Sequence, residues 1–217
     1  RCGTICAKFM LNSSAYRKAS MASNPAQTDD YAFRFGGIER LYGRKALHAF
    51  CHAHIAIVGL GGVGSWAAEA LARSGIGTIT LIDMDDICVS NTNRQLHALQ
   101  GQYGRTKTDA MAERLRAINP QADIRVHFGF LTVKNVGELI TEDMTGVVDA
   151  IDSVKAKAAL IAHCQRRKIP IICAGGAGGQ MDPTQIQVAD LAKTTQDPLL
   201  AKVRNMLRRE YGFSRNP

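Results

Sequence analysis

Four glycines, four acids and a short run of Asn, Arg and Lys could do chemistry in this chain if folding brings them together. Gly59, Gly61 and Gly64 stand in G-x-G-x-x-G spacing, with Gly62 beside the second. In that spacing the first glycine permits a tight turn, the second lets backbone approach a phosphate, and the third lets a helix pack closely on a strand. Asp83 lies 24 residues after Gly59, where an acid reaches the hydroxyls of a nucleotide ribose. Asp85 and Asp86 follow, then Asn91 and Arg94 in DMDDICVSNTNRQ, with Lys107 thirteen residues beyond Arg94. An amide, a guanidinium and an ammonium beside a phosphate-cradling turn make an electropositive clamp for charge that builds on a transferring phosphorus. Asp152 could hold Mg²⁺ through oxygen ligands. Hydride transfer has no use for such a clamp, whereas attack on the α-phosphate of ATP does.

These residues need elements to position them. His54–Val58 is short, apolar and β-branched, which predicts a buried strand; Ser65–Ser74 has its alanines and Leu71 at helical spacing; Thr78–Ile82 predicts a second buried strand ending on Asp83. That is a βαβ unit with a nucleotide-binding turn, and the helix N-terminus offers free N–H groups to an anion. Farther on, the patterns predict helices over Lys107–Ile118, Val133–Ile140 and Val154–Arg167. Strands are predicted over Ile124–Phe128, Gly146–Ile151 (ending on Asp152) and Pro170–Ala174. Such alternation predicts an α/β fold, a doubly wound Rossmann-like and mostly parallel sheet, with Asp30–Ala49 as an N-terminal helical extension. Thr184–Val188 alternates polar and apolar and is expected to start an antiparallel extension. The glycine cluster Gly175–Gly179 falls at a strand's carboxyl end, where such sheets bind ligands.

Residues 1–29 are expected to be a disordered or non-native leader, since Arg1–Gln27 is rich in Ser, Ala, Lys and Arg and no acid precedes Asp29. Residues 30–217 are expected to form one nucleotide-binding domain. The net charge of +8 is uneven: residues 1–50 carry eight Lys/Arg against three acids, 51–189 thirteen against thirteen, and 190–217 six against three. Basic ends suit an RNA partner and equally suit solvated tails. No apolar run approaches the length of a membrane span, so no membrane partner is expected. Cys2, Cys6, Cys51, Cys88, Cys164 and Cys173 include no C-x-x-C pair, so no zinc is expected and a reducing, cytoplasmic compartment is. Cys51, Cys88 and Cys173 are expected to be buried and inert. Trp66 is expected to pack on the first helix, and the isolated His97, His127 and His163 are given no role.

GLGGVG, the L-x-D-x-D of Leu81–Asp85, N-x-x-R-Q at Asn91–Gln95, Lys107 and D-x-x-D-S at Asp149–Ser153 resemble the ubiquitin-activating-type superfamily. That superfamily includes the adenylyltransferases of thiamine and molybdopterin sulfur carriers. RFGGIERLYG (Arg34–Gly43), GGVGSWAAEALARSGIG (Gly61–Gly77), LIDMDDICVSNTNRQLHAL (Leu81–Leu99), AIDSVKAKAALI (Ala150–Ile161) and GGAGGQMDPTQIQVADLAKTTQDPL (Gly175–Leu199) are similar to its bacterial tRNA threonylcarbamoyladenosine dehydratase branch. The resemblance implies that Asp83 binds the ATP ribose, and that Asn91, Arg94 and Lys107 contact the phosphates and stabilise the adenylation transition state. Asp152 binds Mg²⁺ near them. By the same resemblance Arg34 reaches into a partner subunit's site, which makes a homodimer functional. ATP would activate the carboxylate of a threonylcarbamoyl group on tRNA adenosine, and the acyl-adenylate would close on a neighbouring nitrogen with loss of AMP. The family continues beyond the position of Pro217, so the chain is expected to be C-terminally truncated.

Other functions compete with this one. The first is an adenylyltransferase for the C-terminus of a ubiquitin-like sulfur carrier; the GGAGGQMDPTQIQV stretch counts against it. The second is a non-catalytic sulfur-relay partner of a cysteine desulfurase, which would need a reactive thiol. An NAD oxidoreductase would leave Arg94 and Lys107 unexplained.

Overall fold

The structure, a computed structural model, describes residues 4–7 and 29–214. In chain order the strands are β1 (Thr4–Ala7), β2 (His54–Val58), β3 (Thr78–Asp83), β4 (Asp123–Phe128), β5 (Gly146–Asp149), β6 (Ile171–Ala174) and β7 (Gln187–Ala189). The helices are α1 (Asp29–Arg34), α2 (Gly36–Tyr42), α3 (Arg44–Cys51), α4 (Gly64–Arg73), α5 (Lys107–Ile118), α6 (Val136–Leu139), α7 (Val154–Arg167) and α8 (Pro198–Glu210). The sheet runs β4-β3-β2-β5-β6-β1-β7, and its first five strands pair in parallel. From β2 the chain winds outward through β3 and β4, then returns to the other side of β2 as β5. The strand order therefore reverses between β2 and β5, and a crevice opens at their carboxyl ends.

Both sheet faces are covered, which is why β2 and β3 read as apolar runs. On one face Ile57, Ile79 and Leu81 meet Ala68 and Ala72 of α4 and Met111 and Leu115 of α5. On the other, Ala56, Val58 and Ile82 meet Leu160 and Cys164 of α7. Helix α8 adds a third layer, with Leu200, Val203 and Leu207 against Ile161 and Ala162. Fully burying each such Leu or Ile stabilises the fold by roughly 1.5–3 kcal/mol.

Several expectations change. The extension predicted as one helix is three, broken at Phe35 and at Gly43, whose φ of 86° no continuing helix allows. The helix predicted from Val133 shortens to one turn, since the Asn135 side chain takes the Thr132 N–H and starts a turn instead. Strand β5 stops at Asp149, so Asp152 sits on a loop. The stretch predicted as an antiparallel extension splits: Pro183–Gln185 is a 3₁₀ turn capped by Asp182, and β7 pairs in parallel with β1. That β1 lies within the expected leader, so four of those residues belong to the sheet, antiparallel to β6. Among the described residues no helix is long and apolar enough to cross a membrane.

Candidate active site

The glycine turn leaves β2 at the crevice. Gly59 has φ 89°, and a Cβ there would stand 2.8 Å from the Ala150 carbonyl oxygen. A Cβ on Gly64 would stand 1.8 Å from the Gly59 carbonyl oxygen. Both glycines are therefore required by backbone approach. Gly61 differs: no atom lies within 4 Å of its would-be Cβ, which leaves that side open to a ligand. Asp83, at the end of β3, fixes the turn. Its Oδ2 accepts the Leu60 N–H at 2.6 Å and its Oδ1 accepts the Asp85 N–H at 2.8 Å. Each carboxylate oxygen keeps a lone pair for a hydroxyl donor.

The segment after β3 folds back over this turn. Asn91 is buried and its Oδ1 accepts the Cys88 N–H at 3.0 Å, while its carbonyl accepts N–H bonds from Arg94 and Gln95. Arg94 lies across the turn, for a Cβ on Gly62 would stand 3.1 Å from Arg94 Cγ. Its guanidinium donates to Ser90 O at 3.2 Å and Asn93 Oδ1 at 2.9 Å, and the side chain stays exposed. Trp66 corrects an expectation. It is half exposed, and its indole N–H donates to the Arg94 carbonyl at 3.0 Å, tying α4 to the arginine segment.

Lys107 opens α5, whose N-cap Thr106 accepts from the Asp109 N–H. It is buried, and its Nζ lies 2.6 Å from Asp85 Oδ2. The Lys107 N–H donates to the Asp85 carbonyl at 3.0 Å, so side chain and backbone both tie the two segments. Asp152 is exposed on the loop after β5. Among the described residues no three or more His, Cys, Asp or Glu are arranged to hold a metal ion. One exposed carboxylate still suits Mg²⁺, which is commonly held by one or two carboxylates and substrate phosphates.

Arg34 lies apart from this cluster. It donates to Asp30 Oδ2 at 3.0 Å and to the Ile118 carbonyl at 3.4 Å. Ile118 ends α5 and Lys107 begins it, about 16 Å apart at the rise of a helix. Within one chain Arg34 does not join the site.

Three groups were given no part in the site from sequence. His97 is buried, with neither ring nitrogen hydrogen-bonded; burial, then the neighbouring Lys107 charge, lowers its pKa to about 4. Asp149 and Lys157 form a fully buried ion pair under the Asp152 loop. Burial pushes the Asp149 carboxyl above its ordinary range, against the pull of Lys157. Cys88 is the third, an exposed thiol where a buried one was expected. Cys173 is buried as expected and Cys51 partly so. Burial pushes the Cys164 thiol up to about 12.

A model of the ThiF family matches residues 38–205. The chain is 60% identical over 189 residues to the tRNA threonylcarbamoyladenosine dehydratase of Escherichia coli strain K12, covering 87% of this chain and 70% of that one. It is 57% identical to the enzyme of that name from Haemophilus influenzae, covering 88% and 74%. The crystal structure of the E. coli dehydratase in complex with ATP superposes with a TM-score of 0.85 at 60% identity, covering 86% of this chain and 77% of that one.

Proposed function

The chain belongs to the ThiF family, and from that premise we propose that it is an ATP-dependent tRNA threonylcarbamoyladenosine dehydratase working through carboxylate adenylation. The observation that carries this reading is Arg94 lying against Gly62, with its backbone tied to α4 by Trp66. The Arg94 stem packs on the glycine turn, and a guanidinium carried on a stem placed there serves phosphate chemistry. The 60% identity to an enzyme of that activity supports the same conclusion.

The chemistry follows from the groups. A carboxylate is a poor electrophile because its leaving group would be oxide. Its oxygen attacks the α-phosphorus of ATP, the bond to the bridging oxygen breaks, and pyrophosphate leaves. Arg94 and Lys107 stabilise the charge on the phosphoryl oxygens and Asn91 contacts them as well, while its Oδ1 holds the segment through the Cys88 N–H. Asp83 accepts from the ribose hydroxyls, while Gly59, Gly61, Gly62 and Gly64 let phosphate and helix approach; Asp85 orients Lys107. Asp152 would hold Mg²⁺, which when bound neutralises phosphate charge. The carbamoyl nitrogen then attacks the acyl carbon, the bond to AMP breaks, and the nitrogen loses its proton. The oxygen formally lost as water leaves on AMP.

A homodimer, with Arg34 of each subunit reaching the other's site, accounts for the distance of Arg34 from its own site. The same reading places the protein in the cytoplasm with its tRNA substrate. Exposed Cys88 leaves a sulfur-relay partner as a separate question that thiol labelling addresses. The deciding experiment follows pyrophosphate release from ATP and Mg²⁺ with and without threonylcarbamoylated tRNA, in the wild-type chain and Arg94→Ala. Release that needs this tRNA and disappears in the variant is expected. Release triggered instead by a ubiquitin-like sulfur carrier would overturn the reading.

A further inference from the structure

Among the described residues one ion pair lies wholly out of water. Lys157 Nζ is 2.8 Å from Asp149 Oδ1, with both side chains 0% exposed. A buried pair of this sort seldom stabilises a fold better than apolar side chains of the same size, because both charges lose their hydration. Its location suggests another use. Asp149 is the last residue of β5, paired with Val58 of β2 and with Cys173 of β6. Its Oδ1 also accepts the Ile151 N–H at 3.1 Å, and Lys157 Nζ reaches the Asp149 carbonyl at 3.5 Å. Lys157 stands one turn into α7, so the pair joins the end of the strand, the loop after it and the start of the next helix.

Ala150 is gripped from the other side. Its N–H donates to the Val58 carbonyl at 2.9 Å. Its own carbonyl leaves room only for glycine at position 59, and its Cβ lies 3.2 Å from the would-be Cβ of Gly64. The peptide leading to Asp152 is thus held between the glycine turn and the buried pair. We infer that Asp149 and Lys157 are positioning residues for adenylation: they lock Ala150 and Ile151 against the glycine turn and so fix where Asp152 meets the metal-bound phosphates. The inference rests on the role proposed for Asp152. Apolar side chains would fill the same volume, but they would leave the Ile151 N–H without its acceptor and α7 without its tie to β5.

The test titrates ATP calorimetrically in Mg²⁺ and in EDTA, with thermal unfolding recorded alongside, for the wild-type chain, Asp152→Asn, Lys157→Arg and the double variant Asp149→Leu/Lys157→Met. The expected result is that Asp152→Asn loses the gain in affinity that Mg²⁺ gives. The apolar pair unfolds near the wild-type temperature and loses about tenfold or more of that gain, as outer-shell groups of metal sites do. Its affinity in EDTA changes little, and Lys157→Arg keeps the gain. If Asp152→Asn loses the gain and the apolar pair keeps it, the pair is structural and the inference is overturned. If Asp152→Asn itself keeps the gain, the role of Asp152 is wrong and the inference goes with it. Should the apolar pair fail to fold, Asp149→Asn/Lys157→Met takes its place, since it keeps an acceptor for Ile151 while cutting the tie to α7. A wild-type Mg²⁺ gain in that variant overturns the inference equally.

Discussion

The ammonium of Lys107 lies 2.6 Å from the Asp85 carboxylate, and the two residues differ sharply in exposure. The lysine side chain is 7% exposed and the aspartate 59%. The cation is therefore held in a fixed place by a partner that water can reach and solvate. An incoming phosphate can take over the lysine without stranding a buried carboxylate.

Replacing Lys107 by alanine should therefore cost activity far more than stability. Asp85 stays solvated after the change, so no buried charge is left unpaired, and the loss is mainly that of the lysine stem's packing. Loss of one clamp donor is expected to slow tRNA-dependent pyrophosphate release by about 100-fold or more, while the fold loses about 1 kcal/mol. Comparable losses in both, measured by pyrophosphate release and denaturant unfolding, would make Lys107 a structural residue.

Gly61 and Gly64 should respond to alanine in opposite ways. The Gly64 Cβ would collide with the Gly59 carbonyl oxygen at 1.8 Å, so Gly64→Ala must move backbone and should unfold several degrees lower. The Gly61 Cβ meets no atom within 4 Å, so Gly61→Ala should unfold within about 2 °C of the wild type. Its methyl fills the space a phosphate needs, and the ATP dissociation constant should rise about tenfold or more. An unchanged ATP affinity in Gly61→Ala would mean that phosphate does not approach there.

His97 gives the fold a pH dependence of definite sign. Its pKa falls from 6.5 to about 4 because it is buried and faces Lys107. Below pH 6.5 the unfolded chain takes up a proton that the folded one refuses, so stability falls as the pH drops from 6.5 toward 4. At pH 5 the loss amounts to about 2 kcal/mol. His97→Phe keeps a buried ring and removes the titration. Between pH 7 and pH 5 its melting temperature should fall about 5 °C less than that of the wild type. Equal falls in the two proteins would show that His97 is not held neutral.

What could be read from the sequence was whatever local chemistry decides. Helices α5 and α7 run over the predicted residues because apolar spacing and a stop signal such as Asn119-Pro120 set their limits. Likewise the glycine turn, Asp83, Arg94 and Lys107 follow one another along the chain, and the parallel sheet brings them to one crevice. What could not be read depends on partners far away. Lys157 is one of several cations on a helix that looks solvated on that side, and only the facing Asp149 makes it a buried residue. Trp66 finds its acceptor 28 residues away at the Arg94 carbonyl. Strand β7 pairs with β1, which lies at the opposite end of the chain, so its direction was beyond any local pattern. Helix breaks at Gly43 and at the Thr132–Asn135 turn came from backbone and side-chain preferences that apolar periodicity hides.

Arg34 offers a test of the dimer that needs no structure of it. Its guanidinium contacts Asp30 and the far end of α5 in its own chain, and its proposed place is the site of a second copy. Arg34→Ala and Arg94→Ala should then each be inactive alone, for every site lacks one cation or the other. Mixed after subunit exchange, half of the dimers carry one variant of each kind. In those dimers the site on the Arg34→Ala subunit has its own Arg94 and receives Arg34 from the other chain, so it works; the second site does not. Pyrophosphate release should recover to about a quarter of the wild-type rate. Wild-type activity in Arg34→Ala alone would remove Arg34 from the site. No recovery on mixing, with both variants folded and exchanging, would mean that Arg34 serves its own chain.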